Sequence, residues 1–73
     1  MTRRVNVVIE AGERGFIAWC PQLSGCQTEG RTYDEALVNI REVALLALDR
    51  LTADERSAAL SHEILNTYIE VPA

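Results

Sequence analysis

The residues best equipped for chemistry in this chain are Cys20, Cys26 and His62, with carboxylates scattered around them. The cysteines sit in the stretch CPQLSGCQTEG (residues 20–30), which also holds one of the two prolines and two of the four glycines. A structural zinc site needs four ligands in most cases. Cys20 and Cys26 do not form a C-x2-C pair, and His62 with Glu63 lies in a different segment at no recognised spacing. Two small buried residues flanking a turn explain the pair better. Thioredoxin-like redox work wants C-x-x-C at a helix N-terminus, whereas Pro21 and Gly25 shape a loop between strands. A Cys20–Cys26 disulfide is geometrically possible across that loop, but a reducing cytoplasm opposes it. A phosphate cradle needs a glycine turn opening a helix and a lysine. Every basic residue here is arginine, and Glu29 beside Gly30 would repel an anion. A Ser-His-Asp set would have to use His62, and no G-x-S-x-G elbow is present. Glu10, Glu29, Glu42 and Glu70 are the carboxylates a metal-dependent nuclease would draw on, yet none carries a motif and solvated charges account for them. The expectation is a chain with no catalytic, metal or cofactor site, and no enzyme activity.

The chain that would position any such residues has 73 amino acids, read as a single domain spanning 1–73. A chain this short buries only about 60% of its unfolded surface, so self-association is a common way to gain stability. Its hydrophobic fraction of 48% is that of a globular chain. A net charge of −4 repels phosphate backbones, so the expected partners exclude nucleic acid and favour a basic or polar protein surface. Arg3 and Arg4 precede an apolar run that breaks at Asn6 and stops at Glu10, too short for a signal-peptide core or a membrane span. A cytoplasmic location with reduced thiols is expected.

Val5, Val7, Val8 and Ile9 form a β-branched run ending at Glu10; AGERG follows, then GFIAWC. Two such runs around a short glycine-containing loop predict a β-hairpin, and CQTEG predicts a third strand ended by Gly30. Thr32 and Glu35 make a T-x-x-E capping box. Behind it Ala36, Leu37, Ile40, Val43, Ala44, Ala47, Leu48 and Leu51 recur at helical spacing, predicting a helix over 33–51. TADERSAAL restarts with a second cap and a short helical turn. LNTYIEV then alternates and predicts a returning strand closed by Pro72. The order β-β-β-α-(short helix)-β is an α+β arrangement. Val38 and Leu45, seven apart, project away from the main apolar face of the helix, with Leu46 at its margin. One sheet face cannot cover both sides of a helix, so either the 52–62 segment folds back over them or another chain does.

The run from Gly15 to Ala44 resembles the HicB-like antitoxin domain: an aromatic-x-Ala strand, Pro-x-Leu-x-Gly-Cys, Gly-x-Thr, and a helix of the form E-A-x-x-N-I-x-E-A. The matching positions are Phe16, Ala18, Pro21, Leu23, Gly25, Cys26, Gly30, Thr32, Glu35, Ala36, Asn39, Ile40 and Glu42. The resemblance implies a partial RNase H-like fold, a three-stranded antiparallel meander plus a returning strand with one long helix on one sheet face. It implies that the catalytic carboxylates are missing and that the partner is HicA, a small basic mRNA-cleaving toxin. Many relatives of that kind carry a C-terminal DNA-binding domain; only 22 residues follow Leu51 here, with Arg56 the sole basic one, so none is expected. Ser24 stands where a second proline is usual, and Gln22 and Arg31 where acids are usual.

On this reading CPQLSGC is a shaped connection. Pro21 stops the ladder by removing a donor, Leu23 tucks the loop onto the core, Gly25 takes a conformation open only to glycine, and Cys26 packs as a small apolar residue. Strand residues alternate between faces. With the helix over Phe16 and Ala18, Ile17 and Trp19 fall on the open side of the sheet. Trp19, where the family usually has a polar residue, is then a candidate interface anchor, unless the chain's own loops or last strand cover it. The expected partner-binding residues are Ile17, Trp19, Val38 and Leu45, with Glu10, Glu29 and Glu70 complementing a basic surface. The expected assembly is a homodimer or larger homo-oligomer that masks a HicA-like toxin. The alternatives are a solitary regulatory or structural domain with a different protein partner, and a nuclease on an RNase H-like scaffold.

Overall fold

A computed structural model describes residues 2–73 of the chain. It is an α+β fold of three strands and two helices, in the order β1 (Val8–Gly12), β2 (Gly15–Trp19), β3 (Gln27–Gly30), α1 (Tyr33–Asp49) and α2 (Ala53–Leu60). The sheet is an antiparallel meander, β1-β2-β3. The hairpin is tighter than AGERG suggests. The strands pair to their ends, Gly12 opposite Gly15, leaving only Glu13 and Arg14 in the turn. β1 accordingly starts later and runs further than the valine run predicts, because pairing with β2 rather than β-propensity sets its ends.

α1 forms for the reasons its spacing gives. Thr32 is its N-cap, its hydroxyl accepting from the Glu35 amide at 3.0 Å. The return bond of the predicted box is displaced by one residue: the Glu35 carboxylate accepts from the Arg31 amide at 3.2 Å. Ala36, Ile40 and Ala44, one turn apart, are the buried stripe, and they pack on Ala18, Cys20, Leu23 and Cys26. Among the described residues Ile40 is the only large side chain with no exposure, so this core is narrow and built mostly from small residues. Gly30 explains how closely helix and sheet approach. A Cβ there would lie 2.5 Å from the Ala36 amide nitrogen, a backbone atom that cannot give way.

α2 buries no residue fully. Eight residues of helix are marginal in isolation, and its termini supply the missing support. Thr52 and Glu55 form a complete capping box, with bonds of 3.1 and 2.8 Å. The Arg56 guanidinium reaches back to the Leu48 carbonyl at 3.1 Å, which also accepts from the Leu51 amide, and to the Leu51 carbonyl at 3.4 Å, tying α2 to the end of α1. Ala59 packs against the core.

One expectation is corrected here, and one of two alternatives is set aside. The returning strand does not form: residues 63–73 carry no regular element, and Leu65, Tyr68, Ile69 and Val71 are 79, 83, 81 and 66% exposed. A strand needs a ladder partner, and within the described chain this segment has none. The 52–62 segment also does not cover the outer face of α1. α2 lies by Leu23, Ala47 and Leu51 instead, and Val38 and Leu45 remain more than half exposed.

Candidate functional site

The loop between β2 and β3 is held together by its own backbone bonds. The Cys20 amide donates to the Cys26 carbonyl at 3.0 Å and the Leu23 amide to the Cys20 carbonyl at 3.1 Å, so the chain turns within one compact loop. Pro21 is exposed on its outside, whereas Leu23 and Cys26 are buried. Gly25 has φ +71, the left-handed conformation expected of it. Both cysteines are free and buried. Burial, then the neighbouring Cys26 thiol, pushes the Cys20 thiol up to about 12. A thiol so far from ionising is a poor nucleophile at neutral pH. Among the described residues, no three His, Cys, Asp or Glu side chains are grouped to hold a metal ion.

The same loop organises the start of β1 through Gln22. Its carbonyl accepts from the Asn6 amide at 2.8 Å, and its amide group donates to the His62 carbonyl at 2.8 Å. The Asn6 side chain adds a bond to the Ile64 carbonyl at 3.4 Å. No local pattern foretells this bridge, because its partners lie 16, 40 and 58 residues apart.

The sheet brings several of the expected binding residues together. β1 and β2 pair Val8 with Trp19 and Glu10 with Ile17; β2 and β3 pair Trp19 with Gln27 and Ile17 with Glu29. Residues paired across strands point to the same face. Two rows therefore run across the sheet, Val8–Trp19–Gln27 and Glu10–Ile17–Glu29. The opposite face carries Ile9, Ala18 and Thr28 and lies under α1, where Ala18 has no exposure. The open face thus presents Ile17, 40% exposed, between two exposed carboxylates, with a half-buried Trp19 alongside. Val8 and Gln27, which flank Trp19, join the set only through strand register.

Val38 and Leu45 do not belong to that patch. They lie on the outer side of α1, across the helix layer from the open sheet face, so the expected apolar residues fall on two opposite surfaces. Glu70 is in the unpaired segment after α2, outside the sheet.

No helix among the described residues is long and apolar enough to cross a membrane. No protein-family model matches the chain, and no solved structure matches it. The chain is 49% identical over 51 residues to a UPF0150 protein of Helicobacter pylori strain J99, a match covering 70% of this chain and 71% of that protein. It is 42% identical over 52 residues to a UPF0150 protein of Synechocystis, covering 70% of this chain and 75% of that one. A second UPF0150 protein of Synechocystis is 40% identical over 42 residues, 58% of this chain and 53% of its own length. With identity this high over more than two thirds of two relatives, the chain is a member of the UPF0150 family.

Proposed function

We propose that this protein is a non-catalytic, HicB-like binding module whose open sheet face docks on, and neutralises, a small basic HicA-like mRNA-cleaving toxin. One observation carries the reading: the Glu10–Ile17–Glu29 row beside Trp19 sets two exposed carboxylates around an apolar centre. Such a surface suits a basic partner with an apolar side chain at the middle of its contact. The carboxylates steer the encounter and the apolar centre supplies most of the affinity. The motif run from Phe16 to Glu42 supports the same assignment, and so does a net charge of −4. A β-β-β-α core of this kind is compatible with a partial RNase H-like scaffold, and the buried, un-ionised Cys20 offers no chemistry of its own.

The test is co-expression with any small basic HicA-like chain that the host encodes. The protein should relieve growth arrest by that chain and co-purify with it. The double variant Glu10→Arg with Glu29→Arg should lose both effects while keeping its circular dichroism spectrum. Relief of toxicity that is indifferent to charge reversal on this face would refute the assignment of the surface.

A further inference from the structure

The segment after α2 has the pattern of a strand and no ladder to join. In an extended conformation Leu65, Thr67, Ile69 and Val71 share one side, and Asn66, Tyr68 and Glu70 the other. In the structure these residues project from the body, with four large apolar side chains at least 66% exposed.

The sheet has one edge ready for such a strand. The edge at β3 is closed by α1: the Asn39 side chain donates to the Glu29 carbonyl at 3.0 Å, and Gly30 abuts Ala36. At β1, no backbone group of Val8–Gly12 bonds to anything beyond β2 among the described residues. An open edge with a β-branched strand is a standing invitation to pairing. The departure point of the tail is fixed beside that edge, because Asn6, just before β1, holds the Ile64 carbonyl and Gln22 holds the His62 carbonyl. A tail turning from there onto its own β1 would run parallel to it, but it makes no such pairing.

The tail is not part of its own sheet, and the surface area fits a second copy as the receiver. A monomeric protein of 8.1 kDa exposes about 4,500 Å2. This chain exposes 6267 Å2, an excess of about 1,800 Å2. Its radius of gyration is 13.9 Å, where a compact chain of 73 residues has about 11 Å. An excess of about 1,800 Å2 per copy lies within the range that obligate homodimers bury, about 1,000 to 2,500 Å2 on each side. We infer that two copies exchange residues 65–71, each tail adding a fourth strand to the β1 edge of the other. Leu65, Thr67, Ile69 and Val71 then enter the layer beside Val7 and Ile9 under the receiving copy's helix. Tyr68 and Glu70 turn to the open face, which places the exchanged Glu70 on the side that carries Glu10. The exchange needs only a second copy and holds whether or not a toxin exists.

The experiment uses the full chain. Sedimentation velocity should give twice the monomer mass of 8.1 kDa. Ile69→Asp should weaken the dimer at least about a hundredfold, because it forces a carboxylate into the apolar layer, and removal of residues 65–73 should leave monomers. If either variant fails to fold, the wild-type protein still decides. In a dimer refolded from equal parts isotope-labelled and unlabelled chain, nuclear Overhauser contacts between residues 65–71 and 8–12 should appear across chains. A monomer with a free tail would overturn the exchange and make the tail a docking strand for another protein. So would contacts confined within one chain, or a dimer untouched by Ile69→Asp.

Discussion

Ile40 is the side chain on which this small core most depends, and replacing it tests the packing directly. It is fully buried, and three of the buried residues that share the core with it in α1 and β2 are alanines, Ala36, Ala44 and Ala18. Alanines cannot swing into a gap, so Ile40→Ala leaves most of its hole unfilled. The three carbons removed account for about 2.4 kcal/mol at about 0.8 kcal/mol each. A cavity of about 80 Å3 adds up to about 2 kcal/mol. The expected loss is therefore about 3 to 4 kcal/mol, against a total stability of about 4 to 11 kcal/mol for 73 residues. Urea unfolding followed at the helical circular dichroism band, at one fixed protein concentration, measures it. Leu46→Ala, at a side chain 62% exposed, is the control and should change stability by less than about 0.5 kcal/mol. A loss below about 1 kcal/mol for Ile40→Ala would show that the helix does not rest on the sheet through this residue.

Other outcomes follow from the same packing. Gly30→Ala should cost about 1 to 3 kcal/mol, read from the urea midpoint, since its Cβ meets backbone atoms of Ala36 at 2.5 and 2.9 Å. Cys20, shifted from 9.0 to about 12, should hold roughly a thousandfold less thiolate at pH 8 than an ordinary cysteine; alkylation of the native protein should be correspondingly slow and should accelerate on unfolding. Because that value is raised in the fold, its contribution to stability is intact below pH 9 and fades between pH 9 and about 12, which an alkaline denaturation series would reveal. Glu55 is shifted the other way, held below its ordinary value of 4.5 by its bonds to Thr52. Its support for α2 is therefore present at neutral pH and lost as the solution is acidified through that lowered value; backbone chemical shifts of α2 should move in acid before those of the α1 interior, and Thr52→Ala should abolish the difference.

Local sequence made much of this fold legible. The glycines and the β-branched runs announce the hairpin. Thr32 with Glu35 and Thr52 with Glu55 announce both helix starts, and the three-and-four spacing of α1 names Ala36, Ile40 and Ala44 as core. In the loop, Leu23 and Cys26 are buried and Gly25 has a positive φ, local properties that each residue's own size or freedom makes legible. What failed to show depends on distant partners. LNTYIEV has the alternation of a strand, but alternation does not say which edge receives it. The Gln22 bridge joins residues up to 40 apart with no periodic signal. Ile17, Trp19, Val38 and Leu45 were each legible as surface apolar residues. Only the two-layer geometry separates them, placing the first two with Glu10 and Glu29 and the last two on the far side of the helix.

Docking of a basic toxin on the open sheet face can be mapped from amide chemical-shift changes as a small basic HicA-like chain of the same host is added. Shifts should concentrate at Val8, Glu10, Ile17, Trp19, Gln27 and Glu29, while amides along the outer side of α1 stay still. A footprint centred on Val38 and Leu45, with the β2 amides unmoved, would contradict it.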